Sequence, residues 1–187
     1  MKRNGMMTDI LLCPACPADL PAILDLNRLA FGGEAEAELV EALLADPAAA
    51  PLVNLVLFQG DILRAHVLLS RGWLDEVADG PALSWLAPLA VHPERQGRGL
   101  GQALTHAASA MAAEMGQALI FLMGHPGFYP KCGYVPAGAH GFTTPHPLPD
   151  GAQPAWMVRE LQRGALSHWS GRVRASEPLE RPELWGS

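Results

Sequence analysis

Residues 86–104 read LAPLAVHPERQGRGLGQAL: an apolar run, a turn marked by His92-Pro93, then Gly97, Gly99 and Gly101 opening a helix. Strand, glycine-rich turn and helix N-terminus, in that order, are the parts that hold a phosphate. Glycine has no Cβ, so its backbone N–H groups can approach a ligand closely. The first helical turn leaves its N–H groups unpaired, and the helix dipole adds partial positive charge there. Gln96 and Arg98 supply side-chain donors beside them. The stretch reads as an anion cradle.

Spacing removes the two commoner nucleotide motifs. A P-loop requires Lys-Ser/Thr after its last glycine, whereas Gln102-Ala103 follows Gly101. A dinucleotide fingerprint requires Gly-x-Gly-x-x-Gly and an acid about 20 residues on. Here the step is Gly97-x-Gly99-x-Gly101, and Leu119 and Ile120 stand where the acid belongs.

Outward from the cradle, Gly99 to Met115 has helical periodicity, with Leu100, Ala103, Leu104, Ala107, Ala108, Met111 and Met115 forming an apolar stripe. Leu83 to Val91 is a strand containing Pro88, which cannot donate to a ladder. A central strand there needs a bulge or a missing partner; an edge strand is the plainer alternative. Leu52–Phe58 and Ile62–Leu69 flank a Gln59-Gly60-Asp61 hairpin signal. Before them come a short strand at Asp9–Cys13 and two helices. The first starts at Pro17 and is stopped by Gly32-Gly33; the second spans Glu34 to Asp46. After the cradle helix, Ala118–Met123 is a buried strand and Pro126–Lys131 a short helix. Ala137–Pro154 is loop with at most short strands, and Trp156–Leu161 is a last strand. The tail beyond Arg163 has no periodicity. Alternating helices and strands of this kind predict a mixed α/β sheet.

Composition sets the outer bounds. At 187 residues the chain is one domain by length, large enough for a core without disulfides or metals. An apolar content of 49% excludes general disorder, and a net charge of −6 argues against nucleic-acid binding. No apolar run approaches the ~20 residues of a membrane span. The N-terminus, MKRNGMMTDILLC, is too weakly apolar for a signal peptide. Three cysteines make no disulfide framework. The expectation is a soluble, cytoplasmic protein without a membrane partner or a metal; a homodimer is compatible with the sequence.

The pattern Gln-x-x-Gly-x-Gly, met as Gln96, Gly99 and Gly101 after Leu89-Ala90-Val91-His92-Pro93, resembles the acetyl-CoA-binding motif of the GNAT superfamily of N-acetyltransferases. Downstream, Phe128-Tyr129-Pro130-Lys131-Cys132-Gly133-Tyr134 resembles that family's Tyr-x-x-x-Gly-aromatic signature. The element order is similar from Asp9 to Val135; beyond it the chain resembles bacterial members only in a general way.

The resemblance implies a GNAT-like fold: a mixed, mostly antiparallel central sheet flanked by helices and splayed at an acetyl-CoA site. It implies that backbone amides of Gln96, Gly97, Arg98, Gly99, Leu100, Gly101 and Gln102 hold the CoA pyrophosphate. The strand Leu89, Ala90, Val91 would offer main-chain groups to the acetyl carbonyl and the pantetheine arm, in the manner of an added strand. Tyr129 would protonate the departing thiolate, the plainer reading being a packing residue beside Phe128. The implied activity is direct acetyl transfer to a primary amine of a small molecule or peptide. The alternative is a non-catalytic acyl-CoA-binding or sensor module on the same fold. The domain would occupy residues 1–163, with 164–187 an extension of uncertain structure.

Many relatives carry a Glu on or near the strand before the cradle, but Leu83–Val91 has no carboxylate. His66, Asp75, Glu76 and His125 are then the candidate bases, with a water chain as the alternative. Cys13-Pro14-Ala15-Cys16 has CxxC spacing but no second ligand pair for zinc; a redox centre is a minor alternative to a strand residue and an N-cap. His140 and His146 read as solvated loop residues. Glu34, Glu36, Glu38 and Glu41 read as a solvated helix face, or as a lure for a cationic amine.

Overall fold

The computed structural model describes residues 10–185; the opening nine residues of the N-terminal stretch and the last two of the C-terminal extension lie outside the described residues. The chain runs β1 (Ile10–Pro14), α1 (Leu20–Phe31), α2 (Ala35–Ala45), β2 (Val53–Gln59), β3 (Ile62–Leu74), β4 (Leu83–Val91) and α3 (Leu100–Glu114). It continues through β5 (Leu119–Met123), β6 (Val135–Pro136), β7 (Phe142–Thr143), β8 (Trp156–Glu160), α4 (Ala165–His168) and β9 (Gly171–Ala175).

The strands form one sheet in the order β1-β2-β3-β4-β5-β8-β6, with β9 joining the far end of β3 and β7 joining β9. Among the described residues every pairing is antiparallel except β4 with β5 and β7 with β9. This is the mixed, mostly antiparallel sheet flanked by helices that the resemblance implies.

Each face of the sheet buries its own core. Helices α1 and α2 cover one face through Ile23, Val40 and Leu43, and the aromatic group Trp85, Phe121, Trp156 and Trp185 lies in the same cluster. Helix α3 covers the other through Leu104, Ala108 and Ala112, against Leu55, Val67 and Ile120. Strand alternation explains the division: on β2, Val56 belongs to the first cluster and its neighbours Leu55 and Leu57 to the second.

The buried face of α3 is rotated from the expected stripe. Gly101, Leu104, Thr105, Ala108, Ser109 and Ala112 are buried, whereas Ala103 and Met115 are exposed. Small residues let the helix approach the sheet closely. The Thr105 hydroxyl donates to the Gly101 carbonyl (2.8 Å) and Ser109 to Thr105 (2.7 Å), so neither is orphaned by burial. An alanine-rich helix looks apolar on several sides, which is why periodicity misplaced the stripe.

The C-terminal segment also differs from expectation, since Trp156–Leu161 is not the last strand. β9 pairs Val173, Arg174 and Ala175 with Leu74, Trp73 and Gly72. Trp85 Nε1 donates to the Arg174 carbonyl (2.9 Å), and Trp185 packs edge-on against Trp85 at 5.7 Å. Residues 164–185 are thus tied into the sheet rather than attached beside it.

Candidate active site

The site begins with an irregularity in β4. Val67 pairs with Leu89 and Leu69 with Leu86, so three steps on β4 oppose two on β3. The extra residue falls at Ala87-Pro88, where proline has no N–H to offer. It resets the alternation of the strand: Leu86, Leu89 and Val91 look toward α3, whereas Ala90 is buried toward α1 and α2.

On its other side β4 is paired with β5 only at Leu83, Ser84 and Trp85, opposite Leu119, Ile120 and Phe121. Past Trp85 the two parallel strands diverge, while β5 stays paired with β8 along its far edge. The sheet is splayed at Leu86–Val91, which leaves that edge of β4 free to pair with an extended ligand.

One mouth of the splay is a cleft of about 480 Å³ leading to the N-terminus of α3. Leu89, Val91, Gln96, Gly97, Gly99, Leu100, Gly101 and Gln102 line it. Two residues of the expected set do not: Ala90 faces the opposite core, and the Arg98 side chain is exposed outside the cleft lining. Arg95, Phe128 and Lys131 line it in addition.

The cradle glycines do different work. Gly97 and Gly99 have φ of +72° and +82°, which a side chain would strain. Gly101 is helical, and a Cβ there would lie 3.2 Å from Phe128 Cζ. The first helical bond of this turn runs from the Ala103 N–H to the Gly99 carbonyl (2.9 Å), so the amides of Leu100, Gly101 and Gln102 have no intrahelical acceptor. Gln96 Nε2 donates to the Val91 carbonyl (3.2 Å) and ties the turn back to the strand. The buried Nε of Arg95 has no hydrogen-bond partner, which makes it an orphaned cationic donor beside the cleft. Unpaired amides, a helix N-terminus and two cations suit a pyrophosphate.

The second mouth is a cavity of about 410 Å³, between the bulge, α1, α2, the end of β5 and the C-terminal residues Leu179, Leu184 and Trp185. Tyr129 lines it, and Leu89 lines both spaces. Tyr129 is 9% exposed. Burial, with a smaller effect from Cys132, pushes its phenol above the ordinary tyrosine value, so it is a protonated donor at any working pH. Phe128 meets it edge-on at 4.9 Å, and Tyr134 at 5.5 Å. This wall comes from sequence-distant segments, and no local pattern announced the part played by Leu179 and Trp185.

Of the candidate bases only His125 lines the cavity. Its Nδ1 accepts from the Gly127 N–H (3.0 Å), which puts the proton of the neutral ring on Nε2. His66 is in the interior between Asn27 (3.2 Å) and Asn54 (3.0 Å), its pKa pushed down to about 3 by burial. Asp75 lies 3.4 Å from Arg174 and 3.7 Å from Arg172, away from the cavity. Glu76 occupies a left-handed turn position at φ +59°. Of the four glutamates on the early helix, Glu36 alone lines this cavity; Glu34 is held by Arg28 at 2.7 Å.

Cys13 and Cys16 are free thiols, and the Cys16 N–H is capped by Asp19 Oδ2 (2.8 Å). His146 Nε2 meets the Glu180 carbonyl at 2.7 Å, so it is a structural contact rather than a solvated loop residue. No helix among the described residues is long and apolar enough to cross a membrane.

Residues 60–136, which contain both the cradle and Tyr129, match the acetyltransferase (GNAT) domain. The N-acetyltransferase YjhQ of Escherichia coli K12, itself uncharacterised, is 34% identical over 169 residues, which cover 89% of this chain and 92% of that protein. The chain belongs to the GNAT family of N-acetyltransferases. A second E. coli family member, YhbS, is 30% identical over 167 residues, covering 88% of this chain and 95% of its own. The crystal structure of E. coli YhbS in complex with CoA matches with a TM-score of 0.84 at 26% identity, over 96% of this chain and 97% of that one. A GNAT acetyltransferase from Brucella melitensis in complex with acetyl-CoA shares the fold, with a TM-score of 0.74 at 20% identity over 92% of this chain and 99% of that one. The splayed β4 edge and the unpaired amides at the start of α3 are therefore features of a chain with a GNAT fold.

Proposed function

We propose that this GNAT protein binds acetyl-CoA along Leu89–Val91 and the Gln96–Gln102 cradle and transfers the acetyl group directly to a primary amine held in the second cavity. The observation that carries this reading is that the two spaces share Leu89, with Tyr129 lining the second. The pyrophosphate would lie on the amides of Leu100, Gly101 and Gln102, with Arg95 and Lys131 beside it. The pantetheine amides would pair with the free edge of β4, and the thioester would then reach Leu89, within the span of both spaces.

In this arrangement the neutral amine attacks the thioester carbonyl carbon. A C–N bond forms, and a backbone N–H near Leu89 steadies the oxyanion. As the intermediate collapses the C–S bond breaks, and the thiolate takes the Tyr129 proton. The phenolate then recovers the proton released by the attacking nitrogen, so the balance is one proton moved from amine to thiol. Burial raises the phenol, but a thiolate expelled into the same dry space is raised by the same cause, which keeps the transfer feasible.

The test is a thiol-release assay with acetyl-CoA and a primary amine, with the product weighed by mass spectrometry. Equal amounts of free CoA and N-acetylated amine are expected. Tight acetyl-CoA binding without acetylated product would instead identify a non-catalytic acyl-CoA-binding module.

A further inference from the structure

We propose that the second cavity takes a small primary amine carrying a bulky apolar group, with Glu36 as the anchor for its ammonium; this inference rests on the acetyl-transfer reading above. A volume of about 410 Å³ falls within the range of small-ligand sites, roughly 300–1,000 Å³. Leu39, Trp85, Leu179 and Trp185 are buried apolar residues in its wall.

The rim argues the same way. Phe31, Met123 and Leu184 are 45%, 38% and 45% exposed, and all three line this one cavity although they come from α1, β5 and the C-terminal segment. Large apolar side chains gathered from three separate elements around one opening mark a surface that an apolar group covers.

Charge completes the specificity. Among the described residues no lysine or arginine lines the cavity, and Glu36 is its only carboxylate. Glu36 is half-buried, whereas Glu34, Glu38 and Glu41 of the same helix region are exposed. One carboxylate matches one ammonium, which gives its proton to solvent at the exposed rim before the neutral nitrogen attacks the thioester. A polyamine or an aminoglycoside would bring further ammonium groups against leucine and tryptophan, where an unpaired charge is costly. The occupant is therefore a monoamine, apolar beyond its nitrogen.

The experiment is a kcat/KM profile in the thiol-release assay for propylamine, butylamine, pentylamine, hexylamine and phenethylamine, with spermidine, kanamycin and a Leu-Gly-Gly tripeptide amide for comparison. The expected profile rises along the alkyl series by up to about fourfold per methylene, which corresponds to about 0.8 kcal/mol for each buried CH₂. Hexylamine and phenethylamine should exceed spermidine and kanamycin by at least about tenfold, and Glu36→Gln should raise KM for hexylamine by about tenfold while leaving the acetyl-CoA Kd unchanged. A flat alkyl series, or a preference for spermidine or kanamycin, overturns the inference and leaves acetyl transfer standing. Faster acetylation of the tripeptide amide than of hexylamine overturns it in favour of peptide termini. Acetyl-CoA binding with no acetylated amine of any kind removes both this inference and the transfer reading beneath it.

Discussion

The ring of Tyr129 lies directly against Gly124, so closely that a Cβ at position 124 would overlap its Cδ2 and Cε2 atoms. Phe128 meets the same ring edge-on, and Phe128 in turn rests on Gly101 at the start of α3. A glycine at the end of β5 and a glycine in the cradle thus bracket the aromatic pair. The position of the phenol is fixed between the end of β5 and the start of α3.

Gly124→Ala should therefore displace Tyr129 from a position that does not itself line the cradle cleft. The expected result is a fall in kcat of at least about tenfold with an acetyl-CoA Kd within about twofold of the wild type, in keeping with the sensitivity of catalysis to small misplacements. Steady-state kinetics and calorimetric titration measure the two quantities. An unchanged kcat would show that the ring position does not govern turnover.

Tyr129→Phe removes the donor and keeps the ring, so packing against Gly124 and Phe128 survives. Loss of a general acid predicts a kcat lowered by about 10²–10⁴-fold with little change in cofactor affinity. Because burial holds the phenol protonated, no loss of activity from Tyr129 ionisation is expected below pH ~10. The rise of kcat/KM with pH should instead track the pKa of the amine supplied, shifting when the amine is exchanged. A profile independent of the amine would place the titrating group on the protein.

Gly99→Val puts a β-branched residue at φ +82°, at a cost of about 1–2 kcal/mol or more, and turns the first amides of α3 away from the cleft. Acetyl-CoA affinity should fall by at least about tenfold. Normal affinity by calorimetry would refute the cradle assignment.

His66 predicts an acid-sensitive fold. Its pKa is about 3 in the folded protein, pushed down by burial, against about 6.5 in an unfolded chain. A folded value below the unfolded one means that the neutral ring's contribution is complete above pH 6.5 and is lost as pH falls toward 3. The slope from this group approaches about 1.4 kcal/mol per pH unit. His66→Gln should lower stability at pH 7, since it disturbs the contacts to Asn27 and Asn54, yet flatten the acid limb. Urea unfolding at pH 7 and pH 4.5 measures this, and equal slopes for the two proteins would contradict it.

The legible parts of this protein are those made by contiguous residues. The strand, turn and glycines of 86–104 are adjacent in the chain, so their spacing alone separated this cradle from a P-loop and a dinucleotide site. The Phe128–Tyr134 signature was legible for the same reason, as were the two early helices with Gly32 at the first stop. Pro88 announced an irregular strand through its missing N–H, though not what the irregularity achieves.

Tertiary structure decided everything that depends on distant segments meeting. Only the register of β4 against β3 shows that the extra residue at Ala87-Pro88 turns Leu89 and Val91 toward the cleft and Ala90 away from it. Only packing distinguishes Glu36 from its neighbouring glutamates, or brings Trp185 across the sheet to Trp85. The unpaired amides at the start of α3 belong to consecutive residues, so the proposed donor site was legible in local sequence. The second cavity, the proposed acceptor site, exists only where α1, α2, β4, β5 and the C-terminal residues enclose it, and no single stretch of the chain carries its shape.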